Sequence, residues 1–123
     1  MIFYLRNKSK NPQSMATKQS TIDYILDQLA GAGDVSARKM FGEYALYCDS
    51  KVVALVCNDI LYVKITEQGK NFVGSSFKEG YAYDGAKVSI MIDDDKIEDH
   101  EWLSELIRIT TDNLPLPKPK KKK

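Results

Sequence analysis

The sequence predicts an α+β domain in which an antiparallel β-sheet, made of a meander plus a hairpin, is flanked by an N-terminal and a C-terminal helix. Apolar residues recur at helical spacing near both ends of the chain, short β-rich runs lie between them, and polar turn signals separate these runs. A length of 123 residues, with 43% hydrophobic and 28% charged residues, suits one globular domain. We predict this domain over residues 16–114, between a disordered leader at 1–15 and a disordered Pro/Lys-rich tail at 115–123.

The first helix is predicted by an apolar stripe that begins just after Ser20. Ser20 is a candidate N-cap, with an acid at Asp23 where unpaired backbone amides favour one. Gly31 and Gly33 are predicted to end the helix. The stripe comprises Ile22, Ile25, Leu26, Leu29 and Ala30.

The meander is predicted from four β-rich runs joined by tight turns. Asp49-Ser50 and Asn58-Asp59 are two-residue turn signals between apolar runs. The predicted strands are Val35–Phe41, Tyr44–Cys48, Val52–Cys57 and Ile60–Ile65.

The second half of the domain is predicted to contain a short helix, a hairpin and a long helix. Thr66 is a candidate cap for the short helix, although Gly69 and Gly74 weaken it. Asp84-Gly85 favours a hairpin between Tyr81–Tyr83 and Lys87–Ile92. Asp99 is predicted to cap the last helix, whose apolar face comprises Trp102, Leu103, Leu106, Ile107 and Thr110. Trp102 is predicted to be buried in the core, so its replacement by alanine should lower the free energy of unfolding by about 3–5 kcal/mol.

Tight turns also predict which side chains share a face of the sheet. A two-residue turn at Asp49-Ser50 pairs Tyr44 with Leu55 and Leu46 with Val53, and the next turn sets Leu55 beside Tyr62. The face predicted to lie under the helices shows Ala45, Tyr47, Val52, Ala54, Val56, Leu61, Val63 and Ile65. The opposite face shows Tyr44, Leu46, Val53, Leu55, Tyr62 and Lys64. Tyr44, Leu46, Tyr62 and Lys64 are therefore a candidate interface for a homodimer, unless another helix or residues 66–77 cover them.

Positive charge is concentrated at the two ends of the chain. The net charge is +1, and removing the eight positive charges of residues 1–14 and of the tail leaves residues 15–117 at −7. An acidic body repels phosphate, so only weak, nonspecific nucleic-acid binding is predicted, through the tail. A solubilising tail is the alternative. The tail lysines are Lys118, Lys120, Lys121, Lys122 and Lys123.

The sequence offers no motif for catalysis, a cofactor or a metal. Cys48 and Cys57 are predicted to be unreactive strand thiols too far apart for a disulfide. His100 is the single histidine, and the acidic residues at 93–95 lack the spacing of a calcium loop. No apolar stretch is long enough to span a membrane and no signal peptide is evident, which predicts a cytoplasmic protein.

The run from Ala37 to Tyr47, which includes the motif Arg38, Lys39, Met40, Phe41 and Gly42, resembles the opening of the TfoX N-terminal domain family. The later runs Val53–Val56 and Leu61–Lys64, the Asp84-Gly85 turn and the Trp102 helix keep the family's order. The resemblance implies a regulator of competence gene expression and offers no catalytic residues to carry over. Longer members of the family act as co-activators beside the cyclic-AMP receptor protein. Longer members carry a second helical domain, whereas this sequence ends in lysines.

Three functions therefore remain open at this point. The first is a non-enzymatic accessory protein that binds a protein partner, such as a component of the transcription machinery. The second is weak nucleic-acid binding through the basic tail. The third is an enzyme of small-molecule-binding or transferase type, for which the sequence shows no cofactor loop.

Overall fold

The computed structural model describes residues 17–40 and 43–115, and the predicted α+β class is confirmed. The helices are α1 (Gln19–Gln28), α2 (Glu67–Val73), α3 (Asp94–Glu98) and α4 (His100–Asn113). The strands are β1 (Val35–Met40), β2 (Glu43–Cys48), β3 (Lys51–Cys57), β4 (Ile60–Val63), β5 (Glu79–Gly80) and β6 (Ser89–Ile92). The leader at 1–15 and the lysines of the tail lie outside the described residues.

The six strands form one antiparallel sheet in the order β1-β2-β3-β4-β6-β5. Both predicted two-residue turns are present. Asp49 and Ser50 have φ of 52° and 73°, and Asn58 and Asp59 have φ of 54° and 64°. Two successive left-handed residues match the right-handed twist of the flanking strands, which explains the tight hairpins β2–β3 and β3–β4.

A β-bulge between β2 and β3 overturns part of the predicted pairing. Near the turn, Tyr47 pairs with Val52 as expected, but beyond it Leu46 pairs with Ala54, which leaves Val53 as the extra residue. Tyr44 consequently pairs with Val56 rather than with Leu55. One inserted residue exchanges the two faces of a strand relative to its neighbour.

The hydrophobic core lies between the sheet and the helices, and the bulge decides which strand residues enter it. Tyr44, Leu46 and Val53 were predicted on the opposite face and are instead buried in this core. Ala45, Tyr47 and Val52 were predicted under the helices and lie on the other face. The strand members of the core are Tyr44, Leu46, Cys48, Val53, Ala54, Val56, Leu61, Val63, Ile90 and Ile92.

The start of α1 is anchored by the β3–β4 turn, and Ser20 is not its N-cap, so the predicted cap is wrong. The helix begins at Gln19, one residue before Ser20, and Lys18 at the N-cap makes no side-chain capping bond. The Asp59 carboxylate accepts from the Lys18 backbone N–H at 2.9 Å and from the Thr21 hydroxyl at 2.8 Å. A residue distant in sequence therefore anchors the start of α1, through the N-cap residue Lys18 and the Thr21 side chain.

The predicted caps of α2 and α4 are confirmed. The Thr66 hydroxyl accepts from the Gly69 N–H at 2.9 Å, and the Asp99 carboxylate accepts from the Trp102 N–H at 3.2 Å. At the other end of α4, the Lys51 ammonium donates to the carbonyls of Thr111 and Leu114 at 2.7 and 2.8 Å. These bonds hold α4 over the centre of the sheet.

The predicted hairpin exists with different strands. Glu79 and Gly80 pair with Ile90 and Ser89, so residues 81–88 form the connecting loop and Tyr81–Tyr83 is not a strand. The short helix α3 was not predicted.

Trp102 is less buried than predicted. It is half-buried on the flank of α4, beside Phe72 at 5.6 Å between ring centroids. The face of α4 that enters the core consists of Leu103, Leu106, Ile107, Thr110 and Thr111.

Candidate interaction surface on the second face of the sheet

The side of the sheet opposite the helices is the candidate functional surface, and we call it the second face. Leu55 pairs with Ala45 and with Tyr62, and Tyr62 pairs with Met91, so these side chains alternate with the core residues. Within residues 17–40 and 43–115, the core that α1, α3 and α4 share with the sheet contains none of these four side chains. The second face comprises Ser36, Arg38, Met40, Glu43, Ala45, Tyr47, Val52, Leu55, Cys57, Tyr62, Lys64 and Met91.

The candidate interface residues are divided by the bulge. Tyr62 and Lys64 lie on the second face, but Tyr44 and Leu46 do not accompany them. The Tyr44 hydroxyl instead donates to the Gln19 side chain of α1 at 2.9 Å, and Leu46 is fully buried. A homodimer that uses Tyr62 and Lys64 stays a prediction. Of these four residues only Lys64 is exposed, because Tyr62 is 8% exposed and Tyr44 and Leu46 face the interior.

The Arg-Lys-Met motif lies on β1 at the border of the sheet. The Arg38 guanidinium lies over the Tyr47 ring, 5.4 Å from its centroid, which is a cation–π contact on the second face. Lys39 and Met40 are exposed, whereas Phe41 and Gly42 lie outside the described residues. The stacking partner Tyr47 was missed from the sequence, because the predicted register placed it under the helices.

Two neighbouring cavities on the second face share Leu55 and the loop residue Tyr83. One has a volume of about 450 Å³ and is lined by Met40, Glu43, Tyr44, Leu55, Cys57, Ala82 and Tyr83. The other has a volume of about 960 Å³ and includes Tyr62, Lys64 and Lys87 in its lining. Tyr83 is 60% exposed at the rim. Sequence reasoning missed this loop because its aromatic residues resembled a strand.

Charge is segregated between the two sides of the sheet. Arg38, Lys64 and Lys87 bring positive charge to the second face or its rim. Its acidic residue Glu43 is already occupied, since its Oε1 accepts from the Thr17 hydroxyl at 2.6 Å and from the Asn58 N–H at 3.1 Å. The four described helices carry more acids than bases. The bases are Lys70, Lys96 and Arg108, and the acids are Asp23, Asp27, Glu67, Asp94, Asp95, Glu98, Glu101, Glu105 and Asp112.

Cys57 is a protonated thiol at neutral pH. Burial raises its pKa from 9.0 to about 11, and the nearby Glu43 carboxylate adds to this shift. Burial also raises the pKa of Tyr62, with smaller effects from Cys57 and Glu43. Cys48 is likewise free and buried, and burial is the largest cause of its raised pKa. Both thiols are therefore poor nucleophiles in the folded state.

Alkaline pH is expected to destabilise the fold through Cys57. Its pKa is higher in the folded than in the unfolded chain, so the stabilisation is present below pH 9 and is lost as the pH rises toward about 11. Urea unfolding across this pH window is expected to give a steeper loss of stability for the wild type than for Cys57→Ala. Mass spectrometry after iodoacetamide treatment at pH 9 should find Cys57 modified in urea and protected without it. Equal labelling in both conditions would contradict the burial of this thiol.

The structure brings together no metal-binding cluster in the parts of the chain that it describes. Over those ranges, no group of three His, Cys, Asp or Glu side chains is arranged to hold a metal ion. His100 is exposed at the start of α4. The lysines Lys118 to Lys123 lie outside these ranges, so nucleic-acid binding by the tail stays a prediction. None of the described helices is long and apolar enough to cross a membrane.

Comparison with known proteins agrees with this fold. The TfoX N-terminal domain family matches the chain over residues 27–114, which include every strand and α2 to α4. A relative in Spirochaeta aurantia, described as an uncharacterised 12.7 kDa protein in the trpE 5′ region, is 38% identical over 109 residues. These residues cover 89% of this chain and 93% of the relative. The chain therefore belongs to the TfoX N-terminal domain family.

Proposed function

We propose that the protein is a non-enzymatic, TfoX-like accessory factor that binds a protein partner in the cytoplasm and contributes to the regulation of competence gene expression. The observation that carries this proposal is the second face, where apolar and aromatic side chains lie beside cations. Exposed aromatic side chains next to apolar cavities are typical of protein-binding surfaces. Family membership supports the regulatory context.

Tyr83 is the best-placed anchor for such a partner. It is 60% exposed, yet it borders both cavities of the second face. An aromatic side chain at the rim of an apolar depression can bury a large area against a partner at a small cost in side-chain entropy. Its removal should weaken binding without disturbing the core.

Affinity capture with chemical cross-linking tests this proposal. Tagged full-length protein is incubated with native cytoplasmic extract, and bound proteins are identified and quantified by mass spectrometry. A specific partner should be recovered by the wild type and lost with Tyr83→Asp. Tyr24→Asp is the matched control, because Tyr24 is 44% exposed on α1, on the other side of the sheet.

The expected cross-links join the partner to lysines near the second face, such as Lys64 and Lys87. Recovery of no specific partner, or equal loss with both tyrosine variants, would contradict the proposal. Transcript profiling of a strain that lacks the gene tests the regulatory part. If the wild-type protein captures a specific partner but deletion of the gene leaves competence transcripts unchanged, the protein acts in a process other than competence regulation.

A further inference from the structure

Among residues 17–40 and 43–115, β1 ends the sheet and has no strand partner on its outer edge. β1 is six residues long, pairs with β2 on one side, and is the terminal strand in the sheet order. Its residues from Ser36 onward are mostly exposed. An edge of this length offers a row of backbone donors and acceptors to another extended chain.

The pairing with β2 fixes which backbone groups face outward. The Asp49 N–H donates to the Asp34 carbonyl at 2.9 Å, and Val35 then pairs with Cys48 in the same register. Because hydrogen-bonded and non-hydrogen-bonded pairs alternate in an antiparallel ladder, the N–H and C=O groups of Val35, Ala37 and Lys39 point away from β2. None of them makes a hydrogen bond to another residue within 17–40 or 43–115.

Charge along this edge favours an acidic occupant. Arg38 and Lys39 project to opposite sides of β1, and neither belongs to a salt bridge among the described residues. Contact with the Tyr47 ring places the Arg38 guanidinium on the second face, where its N–H donors can pair with a carboxylate. A strand laid against β1 would place its side chains next to both cations.

The smaller cavity offers a place for one apolar side chain of the same occupant. Met40, at the end of β1, lines this cavity of about 450 Å³ together with Leu55, Cys57 and Tyr83. We propose that an acidic, extended segment of the partner protein adds to the sheet beside β1, pairs its carboxylates with Arg38 and Lys39, and inserts an aromatic or aliphatic side chain next to Met40. This inference rests on the proposed function and names the chemistry of the partner segment.

Peptide binding to the full-length, isotope-labelled protein tests the inference. The probe is a short peptide with one central phenylalanine that is flanked on each side by two consecutive glutamates, so that the added strand carries carboxylates on both of its faces. One control peptide replaces glutamate by lysine, and another is N-methylated at alternate positions so that it cannot donate to a strand edge. Binding is measured by fluorescence anisotropy and amide exchange by NMR.

The acidic peptide should bind at least about tenfold more tightly than either control and should slow the exchange of the Val35, Ala37 and Lys39 amides. The double variant Arg38→Glu/Lys39→Glu should lose about tenfold in affinity. Lys70→Glu/Lys96→Glu is the matched control, since it changes the net charge equally on the helical side of the molecule. Unchanged circular dichroism establishes that each variant is folded.

Several results would overturn the inference. Equal affinity for the lysine peptide would exclude charge recognition, and equal affinity for the N-methylated peptide would exclude strand addition. The edge would be assigned to a second copy of the chain if no peptide binds and sedimentation shows a dimer that Arg38→Glu/Lys39→Glu disrupts. If no peptide binds and the variant Arg38→Ser/Lys39→Ser aggregates, the two cations only prevent unwanted strand pairing.

Failure of this inference is distinguishable from failure of the proposed function. A captured partner that is lost with Tyr83→Asp but retained by Arg38→Glu/Lys39→Glu would leave the proposed function intact and exclude the β1 edge as its contact. Absence of any specific partner would contradict the proposed function itself.

Discussion

Leu46→Ala is expected to destabilise the folded protein by about 2–5 kcal/mol, because it removes a fully buried side chain from the core beneath the helices. The bulge between Leu46 and Tyr47 places this side chain there. Without the bulge, Leu46 would lie on the second face and its loss would cost much less. Equilibrium urea denaturation followed by circular dichroism measures the difference.

Leu55→Ala is the matched control, because it removes the same atoms from the neighbouring strand on the opposite face. Leu55 is only partly buried and borders both cavities, so the expected loss is about 1 kcal/mol. A larger loss for Leu55→Ala than for Leu46→Ala would show that the two faces are assigned the wrong way round.

Gly69→Leu is expected to cost about 3 kcal/mol, since α2 approaches α4 closely at this glycine. A Cβ at Gly69 would lie 2.9 Å from the Thr66 hydroxyl oxygen, 3.5 Å from Leu106 Cδ1 and 3.7 Å from Thr110 Oγ1. A leucine would therefore displace the Thr66 cap and force the two helices apart. Thermal unfolding should show a clear decrease in midpoint.

Gly31→Leu is the control for this prediction. A Cβ at Gly31 meets no atom within 4 Å, and the residue follows α1 at the exposed surface. Stability close to that of the wild type is expected. Equal destabilisation by both substitutions would attribute the effect to the loss of glycine in general and not to the contact between α2 and α4.

The parts of the fold that were predictable are those encoded by neighbouring residues. The turns at Asp49-Ser50 and Asn58-Asp59 and the caps at Thr66 and Asp99 each depend on a few adjacent positions, and all are present. Gly69 was interpreted as a weakness of α2. Its role at the contact with Leu106 depends on a helix far along the chain, so no local pattern reveals it.

The candidate surface was predictable only in part, because one extra residue in β3 exchanges the faces on which the side chains beyond it lie. Tyr62 and Lys64 follow a tight turn and were assigned correctly to the second face, whereas Tyr44 and Leu46 lie beyond the bulge. Val53 carries no sequence signal of a bulge, since it is one of several consecutive apolar residues in β3. Val53 is buried in the core beneath the helices. This burial depends on packing against residues that are distant in the sequence, so no local pattern reveals it.

The bond between Asp59 and the start of α1 has a consequence for the order of folding. Asp59 acquires its position only when the β3–β4 hairpin closes, and Thr17 reaches the Val56 carbonyl, at 3.2 Å, across the same region. Isolated helices as short as α1 are marginal in water. Helix α1 should therefore consolidate late, after closure of the hairpin that carries Asp59. During synthesis, α1 would leave the ribosome well before its stabilising partner exists.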